Sequence, residues 1–479
     1  MLNGKGRQVP TRLTDTFRKE EDGAAIVMTL FFLISTLVVA GMAIDFMRMK
    51  TDELAVQSAA DRGALAAAKL DHQLDPEDVV ESYFKAGGIA DQLNTVELGE
   101  YEDDFREVAV TGEAGVDTYF LSLAGMDSLK TAVQSAAIQG VGDIEISLVL
   151  DISYSMTFDN RIAQLREAAL AFAQSALDPD HDGKISLNVV AYSGDVNVGP
   201  EMFSYLNGQR HDIQIEGYET PNDPTDDVFE AQTASSCLRL GSTDFNDAGL
   251  PSSGLDQTPH FYTAKNAIKL DAGLWCNGDA EIRYAQRYVG DPDVSGTLGN
   301  YLANLPLGYG TGTHIATKYG LALLDPSTQP AFDRLSDAGL VDEAFENRPL
   351  AYGAPGVQKV MVVMTDGKVW NTRLPYDVEN PANADPATPV FSSQGKSAWY
   401  QPSNSSANVV DFLSVCDLAK AVSRDITVFT VAFDAPAAAK TQMRDCASTD
   451  AHFYDAANGS LTTVFEEIAS QISDLRLTQ

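Results

Sequence analysis

From Gly23 to Ile44 the chain reads "GAAIVMTLFFLISTLVVAGMAI", twenty-two residues without a charge. At 1.5 Å per residue a helix of this length measures roughly 33 Å, enough to cross a hydrocarbon core of about 30 Å. The pattern predicts a transmembrane helix. A cleaved secretory signal would carry a shorter apolar region, about 7–15 residues, and a small-residue cleavage site. The run passes directly into "DFMRMKTDELAVQSAADRGALAAAKLD", an Ala-rich amphipathic helix. Next, "DPEDVVESYFKAGG" predicts a short capped helix ended by glycines. "REVAVTGEAGVDTYFLSLAG" mixes a short alternating strand, a turn and an apolar helix-like piece. Residues 45–142 therefore read as a helical extension and a small α+β stalk.

From Asp143 the pattern changes to short apolar runs separated by helical periodicity. "IEISLVL", "KISLNVVAYS", "QKVMVVMT" and "ITVFTVAF" predict four strands. "RIAQLREAALAFAQSAL", "ANVVDFLSVCDLAKAVSRD" and "LTTVFEEIASQISDLRL" predict helices between and after them. Strands that are apolar throughout and alternate with helices imply a doubly wound, mostly parallel α/β sheet covered on both faces. Two stretches rich in Asn, Asp, Gly, Ser and Pro, near 194–307 and 371–406, read as insertions. The predicted plan is a tail over 1–22, a membrane helix over 23–44, the stalk over 45–142, and an α/β domain over 143–479.

Charge narrows the partners. A net charge of −35 over 479 residues repels phosphate backbones, and no basic patch offsets it, so nucleic acid is excluded. Residues 1–22 carry five Lys/Arg against four Asp/Glu, a slight bias towards a cytoplasmic N-terminus that Arg48, Lys50 and Arg62 beyond the span weaken. The four cysteines all lie far beyond the span. Proximity pairs Cys237 with Cys276 and Cys416 with Cys446, which requires an oxidising compartment such as a bacterial periplasm; four buried free thiols are the alternative.

Candidate chemistry gathers where strands end. "DISYS" places Asp151, Ser153 and Ser155 just past the first strand of the α/β domain. "GTGTH" sets Thr311 and Thr313 in a glycine-rich turn opening a helix, and "TDG" sets Asp366 after another strand. Ligands of open α/β sheets sit outside the carboxyl ends of strands. Two carboxylates, several hydroxyls and room for water suit Mg²⁺ (or Mn²⁺) in octahedral oxygen geometry. A helix cap is the plain alternative for "DISYS".

These residues resemble the metal-ion-dependent adhesion site of von Willebrand factor type A domains, whose motif is Asp-x-Ser-x-Ser, a distant Thr and a distant Asp. The resemblance implies Asp151, Ser153, Ser155, Thr313 and Asp366 as metal ligands, with an acidic residue of a partner completing the shell. Thr311 is the alternative to Thr313, and Tyr154 stands where a glycine is common. The span with its flanks "RKEEDGAA" and "DFMRMKTDELAVQSAADRGALAAA", followed by a C-terminal A domain, resembles the TadG proteins of tight-adherence (Flp) pilus systems. That resemblance implies a single-pass inner-membrane accessory protein of pilus assembly or anchoring, with a cytoplasmic N-terminus and a periplasmic A domain. Its expected partners are other pilus components, pilin or pseudopilins.

Other readings are weaker. "DPDHDGKIS" offers Asp178, Asp180 and Asp182 as half of a calcium loop, but Val189 stands where a bidentate Glu is needed, so a solvated turn fits better than Ca²⁺. A metal-assisted hydrolase would need a base; only six His occur and none lies in a loop that reaches Asp151. A pilin-like minor subunit would want Glu at the fifth position counted from Gly23, where Met28 stands. The sequence therefore reads as a binding protein, not an enzyme.

Overall fold

One helix, α1 (Glu21–Ala68), carries both the predicted span and the extension that follows it. The computed structural model describes residues 21–475, apart from 70–73, 103–104, 141, 178–182, 212–213, 217–227, 264–272, 355, 379 and 458. The described chain forms two compact units, Met1–Gly140 and Val141–Gln479.

In the first unit, α1 leaves its apolar stretch bare: Ile26, Phe31, Ile34, Leu37 and Val39 are all more than half exposed. Further along, the same helix buries Met49, Val56, Ala60, Ala64 and Ala67. These pack on Val80 and Phe84 of α2 (Pro76–Ala86) and on the inner face of an antiparallel sheet. The sheet is a meander of β1 (Leu93–Glu102), β2 (Phe105–Asp117) and β3 (Ser128–Gly140). Asp75 caps α2 by accepting the Glu77 amide at 2.9 Å, as the sequence predicts. The predicted turn inside "REVAVTGEAGV" is instead continuous strand. Gly112 is there because a Cβ would sit 2.9 Å from the Gln92 carbonyl and 3.0 Å from Val56.

The second unit is built on a six-stranded sheet. In chain order its sheet strands and main helices are β4 (Asp143–Asp151), α3 (Arg161–Ala176), β5 (Ile185–Tyr192), α4 (Gly199–Tyr205), β6 (Gln214–Glu216), β7 (Val228–Glu230), β8 (Arg283–Gln286), α5 (Leu298–Ala303), α6 (Thr313–Ala322), α7 (Gln329–Asp337), β9 (Val357–Thr365), β10 (Thr372–Pro375), β11 (Trp399–Ser403), α8 (Ser405–Lys420), β12 (Thr427–Phe433), α9 (Ala437–Cys446), β13 (Phe453–Ala456) and α10 (Leu461–Leu475). The sheet order is β13-β12-β9-β4-β5-β8, parallel except for the β8 edge. Ile144, Ile146, Leu148 and Leu150 of β4 face one core, with Leu165 and Phe172 of α3 and Phe465 and Ile468 of α10. Val149 faces the other, with Tyr319 of α6, Phe412 of α8 and Met443 of α9. Burial on both faces explains the unbroken apolar runs of these strands.

The four predicted strands are β4, β5, β9 and β12. Two more were not legible: β8, inside the first insertion, and β13, each four residues long. The second insertion folds back as the β10–β11 hairpin.

At the amino end of the sheet, Glu145 and Lys359 stand opposite each other on β4 and β9 and form a buried ion pair. Glu145 also accepts the Leu350 amide at 2.7 Å, and Arg348 pairs with Asp143 at 2.7 Å.

Candidate functional site

Asp151 is the last residue of β4, and Asp366 follows the last residue of its neighbour β9. Strand pairing alone therefore delivers two carboxylates to one sheet edge. Asp151 is fully buried, and its oxygens accept from the Ser153 amide at 2.8 Å and the Thr365 hydroxyl at 2.6 Å. The Ser153 and Ser155 hydroxyls lie 3.0 Å apart, and Ser155 donates to Asp366 Oδ1 at 2.5 Å. Four of the five predicted ligand residues are thus linked in one run of hydrogen bonds, through the Ser153 amide and the two serine hydroxyls.

Thr313 opens α6 and is buried; it accepts a hydrogen bond from the Tyr192 hydroxyl at 3.2 Å. Tyr192 is the register partner of Asp151 across β4 and β5, so Thr313 reaches the cluster through this tyrosine. The Thr311 hydroxyl and that of Ser155 both flank Gly367, which leaves Thr311 within the same neighbourhood.

Sequence reasoning missed Arg161. Asp159 and Asn160 both adopt left-handed backbone, with φ of 50° and 59°, and turn the chain into α3 at Arg161. The Arg161 guanidinium then reaches Asp366 Oδ2 at 2.9 Å, with Asp159 at 3.7 Å and Asp434 at 3.9 Å. Asp366 is shared between a hydroxyl on one oxygen and a cation on the other.

The electrostatics follow from burial. Desolvation, and then the neighbouring Asp366 carboxylate, push Asp151 up to about 7. Burial also raises Asp366, against the lowering pull of Ser155 and Arg161. Two buried carboxylates with one arginine between several acids form a site short of positive charge. Among the described residues no group of three or more His, Cys, Asp or Glu is placed to hold a metal. A cation here would depend on the hydroxyls of Ser153, Ser155 and a threonine as much as on the two acids, and that donor set fits a hard divalent ion.

Tyr154, between the two serines, is part of an aromatic rim. Its ring lies 5.8 Å from Phe158 and 5.9 Å from Tyr309, and Tyr309 lies 5.6 Å from Trp370. The predicted calcium-loop residues Asp178, Asp180 and Asp182 lie outside the described residues. Both predicted disulfides are present, Cys237–Cys276 with Cα atoms 6.2 Å apart and Cys416–Cys446 at 5.1 Å.

Residues 23–70 match the family described as Tad, putative Flp pilus-assembly TadE/G-like. The N-terminal segment is TadE/G-like. The matched segment coincides with the part of α1 whose length and apolar composition suit a membrane crossing. Beyond the TadE/G-like segment, the second unit is built on a doubly wound, mostly parallel six-stranded sheet. No curated protein matches the sequence. Among solved structures, the vWF domain of the type V pili tip protein Mfa5 from Porphyromonas gingivalis aligns at 12% identity and a TM-score of 0.34, over 71% of this chain and 97% of that one. The pilus adhesin SpaC from Lactobacillus rhamnosus GG aligns at 12% identity and 0.31, over 80% of this chain and 34% of that one. Proximal thread matrix protein 1 from the mussel byssus, solved with a zinc-occupied MIDAS motif, aligns at 10% identity and 0.29, over 69% and 46%.

Proposed function

We propose that this chain is a membrane-anchored accessory protein of tight-adherence (Flp) pilus assembly or anchoring, which captures a protein partner through a divalent cation held at the carboxyl edge of its sheet. The observation that carries the reading is the linked set Asp151, Ser153, Ser155 and Asp366 at the ends of two adjacent strands, in a chain whose residues 23–70 match the TadE/G-like family. Asp151, Ser153, Ser155, Asp366 and one of Thr313 or Thr311 would hold Mg²⁺ or Mn²⁺. The bound ion would supply an electrophilic position for a carboxylate from outside the chain. Asp151 supplies charge from within, Ser153 and Ser155 fix the loop through their shared hydrogen bond, and Arg161 offsets part of the charge of Asp366. Tyr154, Tyr309 and Trp370 offer an aromatic border of the kind enriched in protein interfaces.

Binding is favoured over catalysis by the state of the adjoining histidine. His314 is buried and stacked on Phe245 with centroids 5.5 Å apart, and burial lowers it to about 3, well below the range that suits a general base near neutral pH. The reading places the span in the inner membrane, the N-terminus in the cytoplasm, and both disulfides in an oxidising periplasm. Co-purification of the full chain with pilus components tests it. Pilin or pseudopilins should be retained in Mg²⁺ and released by a chelator; retention that ignores the chelator contradicts a cation-dependent contact.

A further inference from the structure

The loop joining β2 to β3 does something that neither the pilus reading nor the cation site requires. Residues 118–127 are closed at their base by the Thr118 amide donating to the Asp127 carbonyl at 3.0 Å, and they contain a short helical turn, Leu121–Ala124. Asp45, buried on α1, accepts all three amides that start this turn: Tyr119 at 3.1 Å, Phe120 at 2.7 Å and Leu121 at 2.9 Å. The Phe120 ring lies directly against Gly41, where any Cβ would collide with it. Arg48 lies over the Tyr119 ring at 4.5 Å and donates to the Asp117 carbonyl at 3.0 Å. The loop is therefore fastened to α1 at the end of its apolar stretch. Gly41 stands three residues before Ile44, so Phe120 contacts the helix about 4.5 Å inside the end of the span.

What the loop exposes is apolar. Tyr119 is 67% exposed, Leu123 77% and Met126 48%, although Leu121 beside them is buried. Such a cluster in water would be unfavourable, whereas the interface of a bilayer accepts amphipathic rings and long cationic stems. We propose that residues 119–126 form a second membrane contact, with Tyr119, Leu123 and Met126 seated in the headgroup region beside the point where α1 leaves the bilayer. Arg48 would carry its charge at the same level, and the acidic Asp117 and Asp127 at the base of the loop would stay on the water side. The proposal rests on residues 23–44 spanning the membrane. One helix alone leaves a protein free to swivel; a loop seated beside it fixes how the first unit stands on the surface.

The test uses the full chain in lipid nanodiscs. The four native cysteines are paired, so single introduced cysteines can carry an environment-sensitive fluorophore. Leu123→Cys reports the loop, Leu30→Cys the span, and Val422→Cys, 98% exposed, open water. The label at 123 should be blue-shifted relative to 422, shielded from aqueous iodide, and quenched by a nitroxide on the lipid headgroup. The label at 30 should be quenched only by a nitroxide deep on the acyl chain. Asp45→Ala should return the label at 123 towards the behaviour of 422. A label at 123 that behaves like 422 while 30 stays protected overturns the loop contact and leaves the span standing. Iodide access at 30 as well would overturn both. Met126→Cys serves if Leu123→Cys does not fold.

Discussion

Arg161 decides how the oxygen cluster handles charge. With Asp151 and Asp366 ionised, the guanidinium 2.9 Å from Asp366 offsets part of the charge that these two acids would bring to a divalent ion, which would then be less fully neutralised. That state binds metal less tightly and attracts an outside carboxylate more strongly. Two unit charges a few ångströms apart near a protein surface interact by about 3–4 kcal/mol. Even a partial share of this makes a tenfold change, about 1.4 kcal/mol, a reasonable expectation. Arg161→Ala should therefore tighten Mg²⁺ or Mn²⁺ binding about tenfold by calorimetry, and Arg161→Lys should change it less. Unchanged or weaker binding in the alanine variant would show that the arginine does not oppose the ion. The candidate ligand residues were legible because hydroxyls and acids at alternate positions after apolar runs are uncommon. Arg161 was not, because an arginine opening a helix is ordinary; only the left-handed pair Asp159 and Asn160 aims it at an acid 205 positions away.

Between elements, register matters more than propensity. Glu145 and Lys359 sit inside strands that read as apolar, and nothing in either strand alone predicts their pairing. The parallel register of β4 and β9 sets them opposite, with Arg348 3.8 Å from the same glutamate. Removing one partner of a buried pair strands the other charge, a cost of about 3–5 kcal/mol. Glu145→Ala should lower the unfolding free energy of the second unit by that amount. Tryptophan fluorescence during chemical denaturation of the full chain is the readout, since all three tryptophans lie beyond residue 141. A loss below about 1 kcal/mol would mean that water reaches Lys359. The long strands were visible through their unbroken apolar runs, and the Cys416–Cys446 bridge followed from helices flanking "ITVFTVAF". β8 was hidden because it is short and pairs with β5 at only two register positions, around an irregular Ala285 with φ of 34°. β1 and β3 were hidden because one face of each is polar, β1 is interrupted by Gly99, and the apolar positions of β3 include small alanines.

For the molecule as a whole, the proposed function joins a membrane anchor, in a helix matched by the TadE/G-like family, to a cation-binding edge of the α/β sheet. The long apolar helix was legible from twenty-two uncharged residues, and the gathering of the acids and hydroxyls at one sheet edge from separated motifs. The aromatic rim and the loop at 118–127 were not, since both depend on which distant segments fold side by side. The central claim is that the edge holds a divalent cation through Asp151. Isothermal titration of Mg²⁺ and Mn²⁺ into the full chain in detergent, wild type against Asp151→Ala, tests it most directly. The account predicts a single saturable site in the wild type and none in the variant, with the second unit still folded by tryptophan fluorescence. Equal affinity in the two proteins would contradict it and leave "DISYS" as the cap of a turn.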